Sequence, residues 1–173
     1  MAEKSKKTEK THLISVLVEN KPGVMQRIAG MFSRRGFNME SLTVGPTENP
    51  AYSRITITVT GSEKILEQVV KQMNKLITII KVRELDEKDA VCRELALIKV
   101  NTSNSQARTE ITQYVDVFRG SIVDVSSDSM ILEITGDSDK INAFAKLMQP
   151  YGIKELSRTG ITSMHRGPKS VRD

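Results

Sequence analysis

An order of strand-like and helix-like segments that occurs twice is the main constraint on how this 173-residue chain folds. In residues 12–85, strand-like runs begin near Leu13, Phe37, Arg54 and Ile77. Two runs with apolar residues three or four positions apart, which is helical spacing, separate the first strand from the second and the third from the fourth. The order βαββαβ predicts a ferredoxin-like domain, in which two helices cover one face of an antiparallel sheet.

Residues 95–162 repeat this order with different turn residues. The sequence therefore predicts an α+β protein built from two ferredoxin-like βαββαβ domains. Residues 86–94 are rich in charge and are expected to form a linker between the domains. A disordered basic tail is expected at residues 1–11, where there is almost nothing to bury, and a second basic tail at residues 163–173.

Three strands of the first domain allow more detailed predictions. Residues 13–18 are apolar at nearly every position, so this strand is expected to be covered on both faces or to pair edge to edge with a second copy of the chain. The alternation in the second strand slips between Met39 and Leu42, which predicts a bulge. In the third strand, isoleucine and valine alternate with Thr56 and Thr58, which predicts one buried face and one polar face.

The net charge of +5 raises the question of whether the chain binds nucleic acid. Four lysines and two glutamates in residues 1–10 contribute +2, and three basic residues with one aspartate in residues 165–173 contribute another +2. The positive balance therefore belongs mostly to the two tails. The polar face expected for the third strand has no aromatic side chain on which bases stack, so no nucleic-acid partner is expected.

Residue types that commonly catalyse reactions or bind metals are few in this sequence. The two histidines, His12 and His165, each lie near a chain end and are interpreted as surface residues. Cys92 has no neighbouring histidine or second cysteine, so neither zinc-ligand spacing nor a nucleophile with its base is recognisable. No phosphate-binding loop or dinucleotide fingerprint occurs. The sequence predicts no catalytic residue, no metal site and no cofactor in this chain.

The location of the protein is predicted from the apolar runs. None reaches the roughly 18–20 residues of a membrane span, and the lysine-rich start lacks the apolar segment of a signal peptide. A single cysteine also fits a reducing compartment. We therefore expect a cytoplasmic protein with no membrane partner.

The turn between the first strand and the first helix has the most distinctive chemistry, and it reads Glu19-Asn20-Lys21-Pro22-Gly23-Val24. Pro22 suits the opening of a helix, Gly23 lets a ligand approach the backbone, and Asn20 offers a short amide. The N–H groups at a helix start attract a carboxylate or a phosphate. The turn is interpreted either as an ordinary connection or as a small-anion site. The second domain has no equivalent Pro-Gly turn.

Several runs of the sequence resemble the small regulatory subunits of acetolactate synthase. SVLVENKPGV at residues 15–24 and RRGFNMESLTV at residues 34–44 are similar to the ACT domain of that family. LIKV at 97–100, FRG at 118–120 and RTG at 158–160 are similar to its C-terminal domain. Gly45 departs from the pattern, because many relatives carry alanine there, and the lysine-rich start is also outside it.

This resemblance implies a chain without catalysis of its own. It implies that the chain binds and activates the catalytic large subunit of acetolactate synthase and confers feedback inhibition by valine, leucine or isoleucine. Thiamine diphosphate, magnesium and FAD would belong to that catalytic partner. The family binds its effector between two ACT domains, which implies a homodimer through residues 12–85.

The resemblance also implies which residues bind the effector. They are Asn20, Lys21, Pro22, Gly23, Val24 and Met25 from the turn, with Asn38 and Met39 from the start of the second strand. A helix start suits the carboxylate of an amino acid, the two amides suit its polar groups, and the apolar side chains suit a small pocket. Two alternatives remain at this point: a free-standing amino-acid-sensing module with another client, and an RNA-binding ferredoxin-like protein.

Overall fold

The computed structural model describes residues 10–102 and 104–172. Residues up to 91, together with residues from 163 onward, form one unit, and residues 92–162 form the other. The first half of the chain contains β1 (Lys10–Glu19), α1 (Val24–Arg35), β2 (Met39–Pro46), β3 (Tyr52–Gly61), α2 (Glu63–Met73) and β4 (Ile79–Leu85). The second half contains β5 (Ala90–Asn101), α3 (Ser105–Val117), β6 (Ser121–Val125), β7 (Ser129–Gly136), α4 (Ser138–Met148), β8 (Ile153–Arg158) and β9 (Thr162–His165).

Both halves have the order βαββαβ, so the predicted α+β class with two ferredoxin-like domains is confirmed. The first sheet has the strand order β2-β3-β1-β4, and its pairings are antiparallel. The second has the order β6-β7-β5-β8, with β9 paired to β5. Within residues 10–102 and 104–172, no helix is long and apolar enough to span a membrane.

The position of β1 explains its apolar sequence. It pairs with β3 on one side and with β4 on the other, and residues 12–18 are all buried. The expectation that this strand pairs edge to edge with a second copy is therefore wrong, because both of its edges are already hydrogen-bonded inside the sheet. Of the strands described in the first sheet, β2 and β4 are the outer ones.

One face of the first sheet packs against α1 and α2. Ile14, Val16, Ile55, Ile57 and Phe32 are among the buried members of this core. Burial of each such side chain contributes roughly 1.5–3 kcal/mol to folding. α1 ends where Gly36 turns into the left-handed region with φ 65°.

The polar face predicted for β3 is present but is buried as well, because Thr56 and Thr58 are each only 3% exposed. The hydroxyl groups of Thr58 and Ser41 lie 2.6 Å apart, and those of Thr56 and Ser163 lie 3.5 Å apart. The alternating threonines therefore marked a face whose hydroxyl groups form hydrogen bonds while buried. A buried hydroxyl group is tolerated once it is hydrogen-bonded. The predicted bulge in the second strand is confirmed by a register shift between Met39 and Ser41.

The expected linker at residues 86–94 is much shorter in the structure. A single 3-10 turn, Glu87–Asp89, follows β4, and β5 begins at Ala90. Glu94 lies inside β5 and is buried, where Arg158 forms an ion pair with it. The charge of Glu94 made this part of β5 look like a linker in the sequence. Glu94 is tolerated inside the strand because Arg158, far along the chain, neutralises it.

The start of the chain also differs from its prediction. Lys10 and Thr11 belong to β1, whereas the remainder of the expected tail, residues 1–9, lies outside the described residues. His12 is not a surface residue, because its side chain is only 1% exposed. Nearness to the chain end was a poor guide here, since the strand that contains His12 is interior.

The expected C-terminal tail, residues 163–173, begins inside a strand. Most of β9 falls within it, and Val171 is buried. Arg166 donates from its side chain to the carbonyl of Ala90 over 3.1 Å. These contacts explain why the C-terminal residues group with the first unit.

Candidate functional site

The turn from β1 to α1 leaves a helix start open to solvent. Gly23 occupies the N-cap position with φ 81° and ψ −5°, in the left-handed region. No side chain of the described residues caps α1, and its first turn contains no acidic residue. The first N–H groups of a helix have no partner within the helix. The backbone of Val24 and the residues after it therefore presents donors and a partial positive charge, which suit a carboxylate.

Backbone contacts fix the shape of this turn. The N–H of Asn20 donates to the carbonyl of Ala51 over 2.8 Å, and its side-chain Nδ2 donates to the carbonyl of Pro50 over 3.0 Å. Because the amide nitrogen is used in this way, the side-chain oxygen of Asn20 is left as its acceptor group. Lys21 forms an ion pair of 3.1 Å with Glu19.

The glycine is required for its conformation and not for lack of space. A Cβ added to Gly23 would meet no atom of the chain within 4 Å. The positive φ, however, disfavours any side chain at this position. Residues 20–23 are exposed, whereas Val24 is buried and Met25 is half-buried against the core of the first unit. The turn thus combines an exposed backbone at residues 20–23 with the apolar side chains of Val24 and Met25 directly after it.

Asn38 and Met39 lie at the far end of the same unit. They follow α1, whose 12 residues span about 18 Å. The register of β3 agrees, because Glu19 pairs with Tyr52 and Met39 pairs with Val59, and seven residues of strand correspond to roughly 23 Å. Within one chain, the structure does not bring these two residues to the turn.

The other end of β2 does lie beside the turn. Pro46 pairs with Ser53, which pairs with Val18 at the end of β1. Gly45, the departure noted in the sequence, pairs with Arg54, and a Cβ added to Gly45 would meet no atom of the chain within 4 Å. An alanine at this position would therefore change no packing contact inside this chain.

Arg54 is a charged residue on the same face of β3 as Thr56 and Thr58. In the described part of the chain, its buried Nε and Nη2 atoms have no hydrogen-bond partner. Burial lowers the pKa of the guanidinium group. Arg54 pairs with Leu17, whereas the core residues Val16 and Ile55 face the helices. By strand alternation, Arg54 lies on the face opposite α1 and outside the turn.

The corresponding turn of the second half is closed by its own side chain. Asn104 occupies the N-cap position of α3, and its Oδ1 accepts from the N–H of Ala107 over 2.7 Å. A donor that would otherwise face a ligand is therefore already bonded. The prediction that the two halves differ at this turn agrees with the geometry.

A βαββαβ unit with an uncapped, exposed helix start after its first strand defines an ACT-type module, here followed by a second unit of the same plan. A family described as "AHAS small subunit-like ACT domain" matches residues 14–81, and one described as "Small subunit of acetolactate synthase" matches residues 93–167. The chain belongs to the family of acetolactate synthase small subunits.

Individual relatives agree over nearly their whole length. The "Probable acetolactate synthase small subunit" of Methanothermobacter thermautotrophicus is 54% identical over 161 residues, which cover 93% of this chain and 96% of that protein. The acetolactate synthase small subunit of Mycobacterium bovis is 48% identical over 94% of this chain and 96% of its own length. The crystal structure of the small subunit from Thermotoga maritima superimposes with a TM-score of 0.85 at 46% identity, over 91% of this chain and 98% of that one.

Proposed function

We propose that this chain is a regulatory subunit that binds the catalytic large subunit of acetolactate synthase, raises its activity and makes it sensitive to a branched-chain amino acid. Family membership supports the partner. The observation that carries the effector is the uncapped start of α1, where Gly23 leaves backbone donors exposed. Thiamine diphosphate, magnesium and FAD are assigned to the catalytic subunit.

The effector binds with its carboxylate at the N-terminus of α1 and its side chain toward Val24 and Met25. The oxygen of the Asn20 side chain accepts from the ammonium group, since the nitrogen of that amide is held by Pro50. This arrangement places each group of an amino acid against a group of opposite character. Lys21 adds positive charge on the side of the carboxylate, although its pairing with Glu19 reduces that contribution.

The effector site is completed by a second copy of the chain. β2 is an outer strand, so a two-fold axis can pair it with β2 of another copy in antiparallel fashion. In such a pair the start of one strand lies opposite the end of the other. Because the end of β2 lies beside the turn, Asn38 of the partner subunit and the partner's Met39 are brought to it. This supports a homodimer with one effector site at each end of the paired strands.

The second unit is assigned to the contact with the catalytic subunit. Val117, Val123 and Val125 are exposed on and beside β6, the outer strand of the second sheet. Neighbouring exposed apolar side chains mark protein interaction surfaces. The closed turn at Asn104 argues against a second effector site of the same kind in this unit.

Reconstitution tests the proposed function. The chain is expressed together with the large subunit, and acetolactate formation is measured with and without valine, leucine or isoleucine. We expect the two subunits to elute together, the activity to exceed that of the large subunit alone, and at least one amino acid to lower it. Separate elution with unchanged activity would contradict the proposal, and would favour a free-standing sensing module if the chain alone still bound an amino acid.

A further inference from the structure

His12 is a buried titratable side chain that the effector site does not use. Its ring lies on β1 with 1% of the side chain exposed, and Nε2 lies 3.1 Å from the carbonyl oxygen of Gly61. A carbonyl oxygen only accepts, so Nε2 carries the proton and donates. In the tautomer that carries no proton on Nδ1, the lone pair of that nitrogen points away from Gly61.

The Nδ1 atom lies close to two carboxylates. Nδ1 is buried and has no hydrogen-bond partner in the described part of the chain, and it lies 3.7 Å from Oε1 of Glu84. Glu63, the first residue of α2, adds a second carboxylate, and the three ligand atoms all lie within 4.8 Å of one another. A metal ion bound between these atoms would pair with the Nδ1 lone pair and offset the repulsion between the two carboxylates.

We propose that His12 Nδ1, Glu63 and Glu84 form a binding site for a divalent transition-metal ion of the zinc class. Two ligands that are each about 2.0–2.2 Å from one ion in tetrahedral geometry lie roughly 3.3–3.6 Å apart, which is close to the separation between Nδ1 and Glu84. The bond from Nε2 to Gly61 is the outer contact by which metal-bound histidines are usually oriented.

The nature of the buried ligand selects the class of ion. Imidazole nitrogen suits zinc, cobalt, nickel and copper, whereas magnesium and calcium prefer oxygen ligands and keep several waters. The two carboxylates adjust to the ion at little cost, because the side chains of Glu63 and Glu84 are 72% and 49% exposed. Lys10, which lies 3.8 Å from Glu63, is easily displaced, since a solvated ion pair of this kind contributes little.

The structure also provides a route to the site and a consequence of binding. A cleft of about 460 Å³, lined by both His12 and Glu84, opens beside the histidine. The ligands come from β1, β4 and the start of α2. A bound ion therefore ties three elements of the first unit together, and its binding energy adds to the stability of that unit. Sequence spacing did not reveal the site, because its ligands lie on three elements far apart in the chain.

The test uses the full chain, stripped of metal with a chelator and then titrated with Co²⁺, Zn²⁺ and Mg²⁺. We expect one Co²⁺ or Zn²⁺ per chain at this site, visible absorption from bound Co²⁺, a higher melting temperature with Zn²⁺, and no comparable effect of Mg²⁺. Glu63→Gln and Glu84→Gln should each weaken Zn²⁺ binding at least about tenfold. Both side chains are exposed, so these variants are expected to fold even if His12→Gln does not.

Glu67→Gln is the matched control. It removes one carboxylate from the same helix, but Glu67 pairs with Lys71 and is not part of the cluster. Zn²⁺ affinity and the rise in melting temperature should be unchanged in this variant. The proposal is overturned if the wild-type chain shows no saturable Zn²⁺ binding, or if Glu63→Gln and Glu84→Gln bind Zn²⁺ as tightly as Glu67→Gln does.

Discussion

The β1–α1 and β5–α3 turns occupy the same place in two units of the same plan, but they treat the helix start in opposite ways. α3 begins with Asn104, whose side chain bonds to the N–H of Ala107. α1 begins with Gly23, which has no side chain and holds the backbone in the left-handed region. One turn bonds a backbone donor to a capping side chain, and the other has no side-chain cap among the described residues. Under the proposed function, this difference in a few turn residues separates the effector-binding unit from the unit that contacts the catalytic subunit.

The difference has a cost in stability. An asparagine or aspartate cap contributes typically about 1 kcal/mol, and α1 forgoes that contribution. Glycine itself is only slightly worse than a good cap at this position, which limits the loss. An exposed, uncapped helix start is therefore tolerable in a stable unit, and a bound carboxylate can supply the missing contact.

The largest effect is expected from placing a charge in the open turn. Gly23→Asp and Gly23→Asn introduce side chains of nearly equal shape at the same positive φ, so backbone strain is similar in both and only the charge differs. A carboxylate about 4 Å from that of the effector repels it by roughly 4 kcal/mol at an effective dielectric constant near 20. Calorimetry should show that Gly23→Asp binds the effector more than about tenfold more weakly than Gly23→Asn.

Melting temperatures of the two Gly23 variants supply the control. Both should unfold somewhat below the wild type, since a side chain at positive φ is strained. The aspartate variant should not be the less stable of the two, because a negative charge near a helix N-terminus is favourable. Equal effector affinity in the two variants would show that no carboxylate lies at the start of α1.

A smaller effect is expected from opening the closed turn. Asn104→Ala removes the cap of α3 and should lower the free energy of unfolding by about 1 kcal/mol, without changing effector affinity. Chemical denaturation and calorimetry measure the two quantities. Gln113→Ala, an exposed substitution on the same helix, is the matched control and should leave both unchanged. Weaker effector binding in Asn104→Ala would indicate that the second unit also takes part in sensing.

The smallest effect on stability is expected from the hydrogen bond between Tyr151 and Glu110 of α3. Tyr151 donates to Glu110 over 2.7 Å. This bond and then that of Gln106 lower the pKa of Glu110, and the same contact raises the pKa of Tyr151 to about 12. A carboxyl group with a lowered folded pKa stabilises the fold above its ordinary pKa, and the contribution is lost as the pH falls through the folded value.

Tyr151→Phe should therefore be slightly less stable than the wild type at neutral pH, and the difference should shrink near pH 3, below the ordinary pKa of glutamate of about 4.3. Denaturation curves at the two pH values measure it. A difference that stays constant with pH would mean that the hydroxyl stabilises the fold by a contact other than the one with ionised Glu110.

Local patterns in the sequence predicted the local structure well. Helical spacing predicted α1, and the slip near Met39 predicted a bulge, because both depend on neighbouring residues. The placement of β1 and the burial of Thr56 could not be read in the same way. An apolar or threonine-rich strand shows that something covers it, but not whether the cover is a neighbouring strand, a distant segment such as the one at Ser163 or a second copy.

The candidate site shows the same limit. The chemistry of the turn was visible in the sequence, since glycine, proline and asparagine have defined backbone roles. The distance between that turn and Asn38 could not be predicted from the sequence, because it depends on the length of α1 and the register of β3. The buried position of His12 was missed for a similar reason, since its neighbours Glu63 and Glu84 approach it only through the fold.

The most direct test of the shared effector site is a mixed dimer. One chain carries Gly23→Asp and the other carries Asn38→Ala, each with a different affinity tag, and the heterodimer is isolated and titrated with the effector by calorimetry. Each homodimer should bind poorly. In the heterodimer, one site collects both substitutions and the other has none, so one effector should bind per dimer with wild-type affinity. A heterodimer that binds no effector with that affinity would contradict a site built from two chains.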